Sequence, residues 1–559
     1  MDVKNLSVTY AANTANPVHA VDALSFNLQR GECLGIIGES GCGKTSMALA
    51  LMDLLSDAQV RGDVVFEGTH LNGLSDSELR AFRWTKLAMV FQNGLGALNP
   101  VLTIQAQIAE VLQTHTDFSH EQIKERVHEL FDLVDLDSQW LEQYPHQLSG
   151  GMRQRALLAM ALACEPDLII VDEPTSALDA LTRNSIIQLI RELQQTHNFA
   201  MICISHDFGA VGKLADRILT LYAGQAVEIG PTADVIREPL HPYTRGLLNS
   251  APELLKYKDL WGLHGEPPAS GGTPGCPFFP RCSQSIPKCR LRRPQMTCIG
   301  NMREVACHKG GIETLLTANS LSKTYRIKQR EIPAVSDANL YIKSGEVVAL
   351  VGSSGSGKST LAHMLTGALE SDSGTVCFLG KYVRGSSASR MPRGIQLVFQ
   401  DPFAAISPRL TVLEAVREPL DIMKSENVDQ RNQSVYEMLR KTKLSTDLPF
   451  LRRKCGTLSG GQRQRVAIAR ALVTLPRVLV ADEITSMLDP STQAHILREL
   501  KGLQNTQGFA MLYITHDIHL ARKIADRVYI KQHGKIIEHG FATEIFDNPV
   551  HEHTRELLA

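Results

Sequence analysis

The chain has 559 residues, of which 43% are hydrophobic and 21% charged, with a formal net charge of -1. That length exceeds one hydrophobic core and predicts several domains. The composition is that of a globular protein, and the near-neutral balance provides no whole-protein field to draw in nucleic acid or anionic lipid.

The chain opens Met1-Asp2-Val3-Lys4-Asn5, with no basic stretch leading into an apolar one, which argues against a signal peptide. Residues 31–37 predict a short buried strand that runs into a glycine turn, and residues 45–55 a helix. The longest apolar run, residues 156–171, is broken by Glu165, Pro166 and Asp167 and falls short of the ~20 residues of a membrane helix. Any membrane role must therefore come through a partner. Leu168-Ile169-Ile170-Val171 and, far downstream, Val478-Leu479-Val480 are apolar runs that end in acids. Central parallel strands whose carboxyl ends face a ligand have this pattern.

The chain is written twice. Leu148-Ser149-Gly150-Gly151 returns as Leu458-Ser459-Gly460-Gly461, Val171-Asp172-Glu173 as Ala481-Asp482-Glu483, and Ser205-His206-Asp207 as Thr515-His516-Asp517, each 310 residues later. Internal repetition on this scale implies two copies of one α/β unit. The expected boundaries are 1–250 for the first copy, 251–313 for a Cys-rich loop segment, and 314–559 for the second copy.

Each copy carries a phosphate-binding loop. Gly38-Glu39-Ser40-Gly41-Cys42-Gly43-Lys44-Thr45 and Gly352-Ser353-Ser354-Gly355-Ser356-Gly357-Lys358-Ser359 both fit G-x-x-x-x-G-K-[ST]. The glycines let backbone N–H groups wrap phosphates, the lysine neutralises β/γ charge, and the Thr45 or Ser359 hydroxyl ligates Mg²⁺. Downstream, Asp172 and Asp482 are placed to hold the Mg²⁺ water shell, and Glu173 and Glu483 to polarise an attacking water.

Five of the eleven cysteines crowd between Cys276 and Cys307. Cys276, Cys282, Cys289 and Cys307 are spaced C-x5-C-x6-C-x17-C, with Cys298 left over. Converging thiolates suit a soft metal or an iron–sulfur cluster, although the spacing is not the C-x2-C of common zinc ribbons. Structural zinc and unliganded reduced thiols stay open on the spacing alone. No helical or strand periodicity is visible over residues 265–293.

The Leu-Ser-Gly-Gly elements, followed by Met152 in one copy and Gln462 in the other, resemble the signature of ABC ATPases. The resemblance covers both copies. It implies two tandem P-loop ABC ATPase domains, each an α/β RecA-like core with a helical subdomain. It also implies Q-loop glutamines at Gln92 and Gln400 that reach Mg²⁺, D-loop aspartates at Asp179 and Asp489, and switch histidines at His206 and His516. Tyr10 and Tyr325 stand where members stack an aromatic on adenine, or are simply core. Ser149, Gly150 and Gly151, like Ser459, Gly460 and Gly461, open a helix whose N-terminus favours an anion. In the family that helix faces the phosphate loop of the other copy, which pairs Lys44 with Ser459 and Lys358 with Ser149. Copy two departs at Ile484 and Met487, where copy one has Pro174 and Ala177; neither change removes a catalytic group, so both sites are expected to be competent, with room for some asymmetry.

With His241-Pro242-Tyr243-Thr244, the cysteine segment resembles the C-terminal extension of peptide and nickel importer ATPases, which implies a [4Fe-4S] cluster on Cys276, Cys282, Cys289 and Cys307. The resulting expectation is the ATP- and Mg²⁺-dependent subunit of an importer for peptides, nickel or metal chelates. Two permease subunits and a solute-binding protein would be its partners, with nucleic acid excluded, and it would sit peripherally on the cytoplasmic face of the inner membrane. The segments 91–100 and 399–408 look like the surface that receives a permease's coupling helix. The competing class is a soluble twin-ABC ATPase acting on ribosome or nucleic acid. Such proteins place their cysteines before the first ATPase, join the copies by a long charged helix, or insert C-x2-C zinc modules, and this chain has none of these.

Overall fold

The computed structural model describes residues 1–558 except 13, 15–16, 93, 177, 255, 260, 269–273, 301, 328–329, 386, 392, 402–404, 425–426 and 487. The chain divides into two compact units. One comprises Met1–Leu254, Gly265–Arg281 and Ser285–Gly311, and the other Leu255–His264, Cys282–Gln284 and Ile312–Ala559.

In the first unit an antiparallel sheet orders Val18–Asn27, Asp2–Tyr10, Ala58–Phe66 and Thr69–His70. A second sheet carries five parallel strands in the order Arg217–Tyr222, Cys33–Ile37, Ala200–Ile204, Leu168–Asp172 and Leu87–Val90. Every residue of Cys33–Ile37 and of Leu168–Asp172 is buried. This explains why those stretches read as continuous apolar runs: a parallel strand is covered on both faces. The helix after the phosphate loop spans Lys44–Leu51. It is shorter than the expected 45–55, because Asp53 takes a left-handed φ of 50° that an α-helix cannot continue.

A helical layer completes the unit. Thr103 caps Ile104–His115, and Ser119 forms a capping box with Gln122 at the head of His120–Leu133. Ile104, Ile108 and Leu112, and Ile123, Val127 and Leu130, put one apolar stripe of each helix inward at the three- and four-residue spacing of a half-buried helix.

The second unit repeats the plan. Its antiparallel sheet orders Arg330–Lys343, Thr314–Ile327, Ser373–Phe378 and Lys381–Tyr382. Its six-stranded sheet orders Ile395–Val398, Val478–Asp482, Ala510–Thr515, Val347–Val351, Arg527–Gln532 and Lys535–Phe541. Val412–Met423, Val428–Lys441 and Gly460–Leu472 form its helical layer. Among the described residues, no helix is long and apolar enough to cross a membrane.

The cysteine segment is more ordered than its sequence suggests. Pro287–Leu291 forms a turn of helix with proline in its first turn, where the missing N–H costs nothing. The loop segment expected there thus holds a turn of helix although no periodicity is visible over 265–293, since five residues are too few for periodicity to register. Thr297–Cys298 and Glu304–Val305 then add two strands beyond Gln225–Pro231, so among the described residues the first unit's main sheet has eight. Beneath this hairpin Glu228 is fully buried; its carboxylate accepts N–H bonds from Leu240 and His241, both at 2.8 Å, and pairs with Arg303 at 2.9 Å. The second unit keeps the first part of the device: Glu538 accepts N–H bonds from Val550 and His551.

Removing the carboxylate with Glu228→Ala leaves the largely buried Arg303 guanidinium with only the Glu238 carbonyl, and the Leu240 and His241 N–H groups without their acceptor. Breaking a buried pair in this way costs about 3–5 kcal/mol. Urea unfolding is expected to show a correspondingly earlier transition, and an unchanged midpoint would refute the anchoring role.

Candidate nucleotide-binding sites

Each phosphate loop is built against a carbonyl that leaves no room for a side chain. Gly43 (φ 101°) and Gly357 (φ 89°) lie where an added Cβ would stand 2.0 Å from Ala20 O and 1.9 Å from Ala334 O, respectively. Only glycine takes that backbone at that approach. The lysines that follow are buried to 7% and 5% exposure. Lys44 Nζ donates to Gly38 O at 2.8 Å and Glu39 O at 3.0 Å. Lys358 Nζ donates to Gly352 O at 2.9 Å and Ser353 O at 3.1 Å. A flexible chain is thereby curled onto its own loop, with its charge at the loop's centre.

The strand-end acids converge on the same place. Thr45 Oγ1 donates to Asp172 Oδ2 at 2.9 Å, and the Ser359 hydroxyl bonds Asp482. Burial raises both aspartates above the usual carboxylate range, partly offset by these hydroxyls. In each, the buried second oxygen, Oδ1, has no hydrogen-bond partner. Buried polar atoms are nearly always satisfied, so an orphaned carboxylate oxygen beside a hydroxyl and a phosphate loop fits a hard cation. Thr45 with Asp172, and Ser359 with Asp482, are thus a sound donor set for Mg²⁺.

Glu173 and Glu483 take φ values of 50° and 44°, a conformation that bulky L-residues avoid and that tends to mark functional sites. Gln92 Nε2 donates to Glu173 Oε2 at 2.7 Å, and His206 Nδ1 lies 2.9 Å from Glu173 Oε1. In the second unit Gln400 Nε2 donates to Glu483 Oε2 at 2.9 Å, Lys358 Nζ lies 3.2 Å from Glu483 Oε1, and His516 Nδ1 stands off at 3.6 Å. In the first unit Gly38, Glu39, Gln92, Glu173, Ser205 and His206 line an open cleft of about 550 Å³. The arrangement can hold a cation-neutralised anion beside a carboxylate able to polarise water.

Other expected residues lie elsewhere. Ser149 and Ser459 cap helices Gly150–Ala161 and Gly460–Leu472. Only Ser459 has the reciprocal capping box, because Gln462 supplies the returning side chain where copy one has Met152. Gly151 and Gly461 face Thr182 and Thr492 in the next long helix of their own unit. Asp179 and Asp489 cap those helices, Asp179 accepting N–H bonds from Leu181 and Thr182, and Asp489 from Thr492. The Tyr10 hydroxyl donates to Ser46 Oγ at 3.2 Å, just beyond the phosphate loop, and Tyr325 is 37% exposed. Pro174 and Ile484 follow the two glutamates, and Ile484 is buried. Met487 and Ala177 lie outside the described residues.

Two contributors escape sequence reading. Lys531, fully buried, donates from behind the second loop to Ala334 O and Ser356 O, and burial, with Lys358 nearby, pulls its ammonium down to about 8. Arg281 pairs with Glu39 of the first loop. A charged residue inside an apolar strand, as in Val528-Tyr529-Ile530-Lys531, was the available signal for the former.

The cysteine segment is gathered but not converged. Burial raises the Cys276 thiol to about 11, with Cys289 and Cys307 close enough to add to the shift, and Cys276 N–H donates to Cys289 O at 2.7 Å. Cys298 is exposed. Among the described residues no three His, Cys, Asp or Glu side chains form a ready metal site.

Two phosphate loops, each with a cation-ready aspartate and the following glutamate at the end of one parallel strand, define a tandem P-loop ATPase. The family described as ABC transporter matches residues 21–176 and 335–486, and the oligopeptide/dipeptide transporter C-terminal region matches residues 227–289. The chain belongs to the ABC transporter family, as a member carrying two ATPase domains. It is 36% identical over 605 residues to the oligopeptide transport ATP-binding protein OppD of Mycobacterium bovis, covering 100% of this chain and 97% of that relative. It is 37% identical over 580 residues to the glutathione import ATP-binding protein GsiA of Pectobacterium atrosepticum, covering 100% and 89%. Among solved structures, the dimeric bacterial ABC transporter cassette MJ0796 aligns at 32% identity over 41% of this chain and 99% of its own, with a TM-score of 0.38.

Glu173→Gln and Glu483→Gln are expected to retain ATP binding and to slow hydrolysis at their own sites by roughly 10²–10⁴-fold, the usual contribution of a general base. Single-turnover hydrolysis measured with each variant tests this; full turnover in either removes that glutamate from the role.

Proposed function

We propose that this chain is the paired ATPase of an importer for peptides, acting through membrane permeases. The observation that carries the reading is similarity along the whole chain to import ATPases, together with the importer-type C-terminal region between two complete P-loop sites. In this reading residues 1–250 and 314–559 are the ATPase domains and 251–313 the extension. Two permease subunits and a solute-binding protein complete the machine on the cytoplasmic face of the membrane. The half-exposed Phe91 and Phe399 beside the Q-loop glutamines support a permease-docking surface. Uptake of nickel or metal chelates rests on the family resemblance alone.

Within each site the lysine and loop N–H groups hold the β/γ-phosphates. Glu173 or Glu483 takes a proton from the attacking water, and His206 or His516 contacts the γ-phosphate and holds that water in place. Thr45 and Asp172, or Ser359 and Asp482, with Gln92 or Gln400 in reach, would hold Mg²⁺, which would supply charge neutralisation on the phosphates. The family resemblance, rather than any distance, supports pairing the signature of each copy with the loop of the other, and it equally supports adenine stacking on Tyr10 and Tyr325.

The iron–sulfur assignment to Cys276, Cys282, Cys289 and Cys307 is proposed on the family resemblance of the segment, and no step of ATP hydrolysis runs through it.

Reconstitution with the cognate permeases tests the transport reading. Peptide-loaded binding protein is expected to stimulate ATP hydrolysis, and stimulation by nickel but not by peptide would reverse the cargo. For the cluster, anaerobically purified protein is expected to be brown and to carry about four irons per chain. Colourless protein with one zinc, or with neither metal, would overturn it.

A further inference from the structure

The extension reaches the first phosphate loop directly. Arg281, 4% exposed, makes two parallel bonds to Glu39, with Nη1 at 2.7 Å from Oε2 and Nη2 at 2.9 Å from Oε1. Glu39 is the residue after Gly38 in the loop itself, and its carbonyl is one of the two that hold Lys44. Its N–H donates to Tyr243 Oη at 2.8 Å. Tyr243, Tyr222 and Phe278 pack ring on ring, with centroids 4.4 to 5.6 Å apart, and the Arg281 guanidinium lies 5.8 Å from the Tyr222 ring. Phe278 and Arg281 belong to the same short stretch as Cys276, and the tyrosines to the ATPase core. One bidentate ion pair directly, and an aromatic wedge through Tyr243 and Phe278, therefore link one residue of the nucleotide loop to the cysteine-bearing segment.

A carboxylate in a phosphate loop is a liability, because it repels the anion the loop must bind. A bidentate guanidinium is the group that cancels it while fixing its direction. The second loop has Ser353 at the place of Glu39 and is braced from behind by Lys531, so it has no need of the device.

We infer that Arg281 is a positioning residue for nucleotide at the first site, and that the folded state of the extension sets the ATP affinity of that site and not of the second. This rests on the reading that both glycine loops bind ATP. Coupling of this kind is reciprocal and usually corresponds to roughly a 5- to 150-fold change in affinity.

The test is photolabelling of the full chain with an azido-ATP at graded concentrations, with peptide mapping to read each loop separately. Arg281→Ala is expected to weaken labelling at the loop of Lys44 within that range, and adding Glu39→Gln, which removes the carboxylate left to repel the phosphates, is expected to recover part of that loss. Labelling at the loop of Lys358 is expected to stay at the wild-type level. Arg281→Lys, which retains the charge, is expected to restore part of the loss. Wild-type labelling at the first loop in Arg281→Ala would overturn the inference, as would equal loss at both loops. Undiminished labelling at the first loop in Lys44→Ala would instead sink the assignment of that loop as an ATP site.

Discussion

The structure turns on two buried ammonium groups. Lys44 and Lys358 carry positive charge inside the protein, held by carbonyls of their own loops rather than by bulk water. Burying a charge is costly unless it is well bonded. The loop must therefore curl so that its carbonyls face the lysine while its N–H groups stay available, and that turn is possible only with glycine pressed against a neighbouring strand's carbonyl. The parallel strands supply the rigid frame, and their carboxyl ends bring Asp172 or Asp482 and Glu173 or Glu483 to the same edge. Orphaned aspartate oxygens and left-handed glutamates are deficits that a packed sheet can sustain and a loop cannot.

Within that shared frame the two copies are supported differently. The first loop carries a glutamate and is steadied by Arg281 and Tyr243 from one side. The second carries serines and is steadied by a fully buried Lys531, where the first copy has Leu221. In the first unit the histidine approaches its glutamate at 2.9 Å, whereas in the second the loop lysine does so at 3.2 Å and the histidine stands farther off. One signature helix has a complete capping box and the other a single serine bond. Unequal sites thus have more physical causes than the replacement of Pro174 by Ile484.

The extension is better regarded as part of the first unit's architecture than as a tether. Its hairpin lengthens the main sheet, and its Arg303 joins the buried Glu228 that also holds the turn at His241. The residues just after the first copy instead attach to the second unit: Lys256 and Tyr257 meet Asp547, and Lys258 meets Asp526. A segment that alternates in this way between two cores gains its order from each, which explains why its own sequence shows so little periodicity.

The sequence by itself determined the duplication, the α/β class, both phosphate loops and the acids at the strand ends. These features repeat as short contiguous words, and the chemistry of phosphate binding tolerates few residue types at each position. It also marked the signature serines, whose helix-capping geometry is local. Only the tertiary structure decided which side chains complete the loops from a distance. Arg281 lies 242 positions from Glu39, and Lys531 lies 175 from Ser356. No local propensity encodes a salt bridge or a buried amine of that reach; it comes into being when the sheet closes and the desolvated charges have to find partners.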